Sequence, residues 1–244
     1  MIERITGRKN PLLQQVRKLL SSKKYRQETG LFVSDGTKLL QEALRWWDGV
    51  ETVILTDGME VQVPENIRLV YVPEDVMAYI SPMETPQGAL FICRLPKKSE
   101  FIPKPGMLLL DGIQDPGNLG TILRTADALQ VPVALLEGCA DPYSHKVVRS
   151  SMGAVFRTPV VQTHWQYVRE SGIPVAVTAL SEKAVDIRSA RLSDMAIVIG
   201  NEGQGVRQEI LEYAENKLII PMDSRCESLN AAIAAAIVMW QMKQ

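Results

Sequence analysis

The sequence predicts an α/β protein, in which a C-terminal parallel-sheet α/β domain follows a small α/β domain. Three observations carry this. Downstream of residue 106 the chain reads as apolar runs, MLLLD (107–111), VALL (133–136), TPVVQ (158–162), PVAVTAL (174–180), MAIVIG (195–200) and KLIIP (217–221), separated by loops or helical stretches. Such runs suit strands buried on both faces, and parallel strands need crossover connections, so the pattern is that of a doubly covered parallel sheet. Upstream, strand-like and helix-like segments alternate over a shorter span. Between Leu95 and Gly106 the text PKKSEFIPKP is too rich in Pro and Lys for a regular helix or central strand, which sets the boundary. The expected division is a front domain over 1–98, a linker over 99–105 and a larger domain over 106–244.

Taken in order, LFVSDG (31–36) reads as a strand leading into the helical TKLLQEALRWW (37–47). The alternating ETVILT (51–56) and IRLVYV (67–72) read as strands, and a helix opens at Pro73. Ligands of open parallel sheets lie beyond the carboxyl ends of the strands. That rule directs attention to the loops after Asp111, Leu180, Gly200 and Pro221. No internal repeat or low-complexity tract is present.

Bulk properties exclude several classes. The chain has 244 residues and 46% hydrophobic content, enough to bury a core in each of two domains. No apolar run approaches the roughly 18 residues of a membrane span, and the polar MIERITGRKN does not read as a secretion signal, so a cytoplasmic protein is expected. Cys93, Cys139 and Cys226 are odd in number and far apart, which argues against a disulfide framework or a Cys-x-x-Cys site. His145 and His164 are the only histidines, and no metal is expected. Although the formal charge is only −1, residues 1–26 hold eight basic side chains against Glu3 alone. Such a cluster attracts a phosphate backbone; an ordinary solvated helix face is the alternative.

Three loops carry polar residues that invite chemistry. In DGIQDPGNLGTILRTADALQ (111–130) the turn formers predict a helix opening near Thr121, with Ile122, Ala126 and Leu129 buried and Arg124 facing away. An Arg one turn into a helix suits a phosphodiester. The plainer alternatives are an Arg124–Asp127 pair at i, i+3 and a turn role for Asn118. In GNEGQGV (200–206) the glycines run in the reverse order of the dinucleotide fingerprint and follow a late strand, which weakens a nicotinamide reading. Closely spaced glycines let backbone approach a flat ligand, and Glu202 between them is a buried-edge carboxylate candidate; a tight turn is the alternative. In IPMDSRCESLNAAIAAAIVMWQ (220–241), Ser224 and Glu227 fit a capping box. Asn230, one turn into an Ala-rich helix, sacrifices propensity and suggests another task.

The order and spacing of these loops resemble the SpoU family of RNA ribose methyltransferases. Its motif one is read in DPGNLGTILRTADA (115–128), motif two in IVIGNEGQGV (197–206), and motif three in IIPM (219–222) through SLNAA (228–232). DPYSHKVVRSSMGAVFRTPV (141–160) looks like the family's connecting segment. NPLLQQVRKL (10–19), LFVSDG and TPQG (85–88) are similar to its substrate-binding module, so the resemblance covers nearly the whole chain. Asp35 and Lys38 stand where relatives often have Glu and Arg, with charge preserved.

The resemblance implies a trefoil knot in the C-terminal sheet, an L30e-like RNA-binding front domain and a homodimer. It implies S-adenosyl-L-methionine as cofactor, held by Thr178, Ala179, Leu180, Gly200, Asn201, Gly203, Ile220, Met222 and Leu229. It also implies that Asn118, Arg124, Glu202, Ser228 and Asn230 surround the reacting ribose. A guanidinium with a pKa above roughly 12 is a poor base, so Arg124 is given an electrostatic role at the developing alkoxide and adjacent phosphate. The expected activity is methyl transfer to a ribose 2'-hydroxyl of structured RNA. Ribosomal RNA is the expected substrate because the front domain is similar to those of ribosomal RNA enzymes. A transfer RNA 2'-O-methyltransferase, a base methyltransferase of the knotted superfamily and a non-catalytic RNA-binding protein on the same fold are the alternatives.

Overall fold

The computed structural model describes residues 2–97, 101–158, 160–181, 184–223, 225–226 and 228–244. The capping box expected from Ser224 and Glu227, and the linker residues Ser99 and Glu100, lie outside these. The chain begins with β1 (Ile2–Arg4), α1 (Pro11–Ser21), α2 (Lys23–Thr29), β2 (Leu31–Asp35), α3 (Thr37–Trp46), β3 (Val50–Thr56), β4 (Arg68–Val72), α4 (Glu74–Ile80) and β5 (Ala89–Arg94). It continues with β6 (Leu108–Leu110), α5 (Pro116–Leu129), β7 (Val133–Leu135), α6 (His145–Ser150), α7 (Ala154–Arg157), β8 (Val161–Gln162), α8 (Trp165–Glu170) and β9 (Val175–Thr178). The last elements are β10 (Val185–Asp186), β11 (Ala196–Ile199), α9 (Gln208–Tyr213), β12 (Asn216–Ile219) and α10 (Ala231–Gln241).

Two compact units result, one of Met1–Lys97 with Tyr143–Arg157 and one of Lys98–Pro142 with Thr158–Gln244. The first holds a five-stranded mixed sheet in the order β1-β4-β3-β5-β2. Its interior strand β5, the run ALFICR, was not anticipated, although four of its six residues are fully apolar and all but Arg94 are buried. Leu13, Val16 and Leu19 of α1 and Val76, Met77 and Ile80 of α4 close one core against Val33, Ile54, Val70 and Leu90. A second apolar group, Phe32, Trp47, Tyr143 and Phe156, has ring centroids between 5.1 and 6.4 Å apart. Tyr143 and Phe156 belong to the expected connecting segment. Their burial against Phe32 is why residues 143–157 join the first unit rather than the second, unlike in the division expected from sequence.

The basic N-terminal stretch is folded rather than a free arm. Arg4 pairs with Asp57 at 2.6 Å, Arg8 with Asp75 at 2.9 Å and Lys24 with Glu28 at 3.7 Å. Arg17 lies over the Tyr79 ring, and Arg26 is buried with its guanidinium on the Leu19 carbonyl.

The second unit holds a seven-stranded sheet in the order β10-β12-β9-β11-β6-β7-β8, parallel at every pairing. Each of the six expected runs supplies a strand; the two-residue β10 was too short to read. Residues 101–105 of the expected linker belong to this unit: Pro103 is buried and the Phe101 ring packs 6.3 Å from that of Tyr167. Leu109, Val177, Val198 and Ala134 form the middle of a core closed by Trp165 and Val168 of α8 and Ile210 of α9. Among the described residues no helix is long and apolar enough to cross a membrane.

Candidate active site

Strands β12, β9, β11 and β6 are consecutive neighbours in the sheet. Being parallel, they deliver their carboxyl ends, and the loops that follow, to one edge. Beyond β9, β11 and β12 lies a cleft of about 580 Å³. All nine expected cofactor residues, Thr178, Ala179, Leu180, Gly200, Asn201, Gly203, Ile220, Met222 and Leu229, line it. Sequence reading missed further lining residues, among them Ile199, Val206, Leu211, Leu218, Ala231 and Ala234. These sit in the same strand ends, loop and helix start, and the apolar runs themselves were the available signal.

The loop after β11 is shaped by its own side chains. Asn201 Oδ1 accepts from the N–H groups of Gly203 (2.8 Å) and Gln204 (3.0 Å), and its Nδ2 donates to the Gly112 carbonyl at 2.8 Å. Asn201 and Gly205 exchange both backbone hydrogen bonds at 2.9 Å, closing the turn. A Cβ on Gly200 would stand 2.3 Å from Gly205 C and Val206 N, closer than any real side chain tolerates. Gly205 adopts φ +69°, the left-handed conformation the turn needs. The glycine spacing therefore first serves a tight turn, which in turn puts backbone on the cleft wall.

Helix α5 opens at Pro116, five residues before the expected Thr121. Asp115 caps it, accepting from the Asn118 N–H at 2.7 Å, and Pro116 takes the first position, where a missing N–H costs nothing. Asn118 thus lies in the first turn of the helix and its side chain reaches across to the other loops. Asn118 Nδ2 donates to Glu202 Oε1 at 2.8 Å, and Asn118 Oδ1 accepts from Asn230 Nδ2 at 3.0 Å. Asn230 is itself the N-cap of α10, its Oδ1 accepting from Ala232 N at 2.9 Å and Ile233 N at 3.3 Å. Its place before an Ala-rich helix is therefore a capping position rather than an interior one.

The polarity of this chain is forced. Helix N–H groups fix Asn230 Oδ1 as acceptor, its amide nitrogen must then donate to Asn118, and a carboxylate accepts only, so Asn118 presents its N–H to Glu202. One residue from each of the three motifs joins in it. Glu202 is exposed rather than buried at an edge, as its position at a turn apex dictates. Ser228, also exposed, lines the cleft beside Leu229.

Arg124 stands apart. Six residues beyond Asn118, it lies about 120° around α5 at 3.6 residues per turn. It is exposed, lies outside the cleft lining, and has no hydrogen-bond or ion-pair partner among the described residues. The alternative pairing with Asp127 is not formed; Asp127 Oδ1 accepts from Thr158 Oγ1 at 2.7 Å. Near the cleft, Asp223 accepts from Arg225 Nε at 2.8 Å, and this exposed neighbour holds its carboxyl below the ordinary value. Among the described residues no group of three or more His, Cys, Asp or Glu side chains is placed to hold a metal ion.

The SpoU rRNA methylase family model matches residues 105–240, more than half of the chain. The chain belongs to this family. The MRM3-like substrate-binding domain model matches residues 10–90 in front of it. Among relatives, the 23S rRNA (guanosine(2553)-2'-O)-methyltransferase RlmP of Bacillus subtilis is 34% identical, with 99% of this chain and 100% of that protein covered. Human mitochondrial rRNA methyltransferase 3 is 27% identical over 95% of this chain and 72% of its own length. The AdoMet-bound rRNA methyltransferase from Sinorhizobium meliloti superposes with a TM-score of 0.85 at 30% identity, covering 99% of this chain and 97% of that one. The family match spans the cleft and all three motifs, and the expected fold class is that of its members.

S-adenosylmethionine, the family's methyl donor, fits the cleft on its chemistry. The volume lies in the range of roughly 300–1,000 Å³ typical of small-molecule sites. Leu180, Ile220, Met222 and Leu229 offer apolar faces to a purine, and the ends of β9 and β12 line the cleft beside them. The carboxylate of Glu202 lies on the same wall, where a cationic donor is favoured.

Proposed function

We propose that the chain transfers a methyl group from S-adenosylmethionine to a ribose 2'-hydroxyl of ribosomal RNA. The observation that carries this is the hydrogen-bonded series Asn230–Asn118–Glu202 at the mouth of the cleft. It supplies a fixed set of polar groups next to a nucleoside-sized site, which is what positioning an incoming sugar hydroxyl requires. The names of RlmP and of human rRNA methyltransferase 3 point to ribosomal RNA.

The donor, when bound, supplies an electrophilic methyl group to the attacking oxygen. The protein's part is alignment and charge. Glu202, held by Asn118, and Ser228, on the cleft wall, orient the ribose. Arg124, without an ion-pair or hydrogen-bond partner among the described residues, is available to stabilise the developing alkoxide or the neighbouring phosphate. A homodimer is part of the proposal. Ile233, Ile237 and Trp240 recur along one side of α10 and are 51%, 37% and 60% exposed, an apolar stripe that a second copy would cover. A cytoplasmic location is the remaining part, resting on the sequence features given above.

Labelled methyl transfer into unmodified ribosomal and transfer RNA, followed by nuclease digestion and mass spectrometry, tests the reading. A 2'-O-methylated nucleotide in ribosomal RNA is expected. Label on a base, or in transfer RNA alone, overturns the assignment of position or substrate.

A further inference from the structure

The cleft wall formed by residues 200–206 is tied at both ends to one residue that the motifs do not include, through its backbone at one end and its buried carboxylate at the other. Asp111 follows β6 and its side chain is 1% exposed. Its backbone N–H donates to the Ile199 carbonyl at 2.9 Å, where the loop leaves β11. Its Oδ2 accepts from the Arg207 N–H at 2.8 Å and its Oδ1 from Arg207 Nε at 2.6 Å, where the loop ends and α9 begins. The next residue, Gly112, accepts from Asn201 inside the loop. The remaining guanidinium nitrogens of Arg207 reach Glu137 Oε2 at 2.7 Å and Glu209 Oε1 at 3.1 Å. Glu137, at the carboxyl end of the β7 run, also accepts from Trp165 N at 3.1 Å and pairs with His164 at 3.1 Å.

We infer that Asp111 and Arg207 are positioning residues for methyl-donor binding, clamping the two ends of the 200–206 loop so that its backbone keeps the shape of the donor cleft. A buried carboxylate removed from water is costly unless both oxygens are satisfied, and here both are satisfied by one residue. The planar fork of arginine meets a backbone-anchored carboxylate and a second acid at fixed angles, which a lysine cannot reproduce. Neither residue lines the cleft, so neither touches the donor. Their effect passes through Asn201, Gly203 and the backbone of Gly200.

This inference rests on the proposed methyl-donor site, and the two fail differently. Equilibrium binding of S-adenosylmethionine to the full chain by calorimetry is measured for the wild type, Asp111→Asn, Arg207→Gln, Arg207→Lys and the Asp111→Asn/Arg207→Gln double variant, alongside kcat and KM for RNA methylation. Donor Kd and KM are expected to rise tenfold or more in each single variant, with kcat at saturating donor within about threefold of wild type. The double variant should lose no more than the worse single one, since the pair acts as a unit. Arg207→Lys should rescue thermal stability but not donor affinity. Should Arg207→Gln fail to fold, Arg207→Lys and Asp111→Asn carry the test alone. Donor affinity within twofold of wild type in folded variants, or a loss confined to kcat, overturns the clamp. A wild-type chain that takes up no donor would instead bring down the proposed function and this inference with it.

Discussion

Arg124 and Glu202 are both exposed, yet their surroundings differ. Glu202 is held by Asn118, whereas Arg124 has no polar partner among the described residues. A guanidinium without an internal partner keeps its full capacity for an external anion, so removing it should leave the fold and the donor cleft intact. Arg124→Ala is expected to bind S-adenosylmethionine as the wild type does while single-turnover methyl transfer falls at least about a hundredfold, the scale of lost oxyanion stabilisation. Near-normal turnover would remove Arg124 from the reaction. Asn118 allows a sharper substitution because its donor role toward Glu202 is forced. Asn118→Asp replaces an N–H by a second carboxylate oxygen at 2.8 Å from the first, so the two acids repel where they previously bonded. Transfer is expected to fall by a similar factor with little change in thermal midpoint, as read by labelled transfer and calorimetry. Asn230 drew notice as an amide at the start of an Ala-rich helix and Glu202 as an acid between glycines, although Asn230 turns out to obey the local rule, since Asn is a favoured N-cap. That the two amides bond to each other was not legible, because they are 112 positions apart and only the parallel strand order brings them together.

The loop after β11 and the start of α5 show how an element is set by backbone demands. Gly200→Ala would place a methyl group 2.3 Å from backbone atoms of the returning strand, which a flexible side chain cannot relieve. Stability is expected to fall by about 1–3 kcal/mol, the usual cost of overpacking, and donor affinity by tenfold or more, measured by denaturant unfolding and calorimetry. The acid behaviour of the clamp follows from Glu137. Burial alone would raise its carboxyl, but hydrogen bonds from backbone and Arg207 prevail and hold it below its ordinary value of 4.5. A lowered folded-state value means the contribution is complete above that ordinary value and is lost as pH falls through the folded one. The gap in thermal midpoint between wild type and Glu137→Gln should therefore shrink as pH drops below 4.5; a gap that widens in acid would contradict this. The six apolar runs yielded six strands because burial on both faces leaves a continuous signature. Helix α5 was misplaced because Asp115, Pro116 and Gly117 read as a turn, although Asp followed by Pro is also the sequence of an N-cap and first helical position. Asp111 and Arg207 escaped notice since a charged residue just after a strand or just before a helix ordinarily faces water.

For the molecule as a whole, the outward stripe of α10 is the main surface left to explain. Ile237→Asp with Trp240→Glu puts charge into that stripe without touching the residues packed inward. A change from dimer to monomer by light scattering is expected if a second copy covers it; an unchanged mass would exclude α10 from the interface. Domain organisation was half legible: the composition shift near residue 100 marked a boundary, but nothing in the local text of 143–157 announced that its aromatics complete the first core. The return of that segment has a consequence for biosynthesis. As the chain emerges from the ribosome, residues 1–97 leave the exit tunnel with Phe32 and Trp47 still lacking Tyr143 and Phe156, and some sixty further residues must be translated before the missing part arrives. The amino-terminal half therefore cannot finish folding before much of its neighbour has been made, which gives holdase chaperones a defined window of sticky nascent chain to guard.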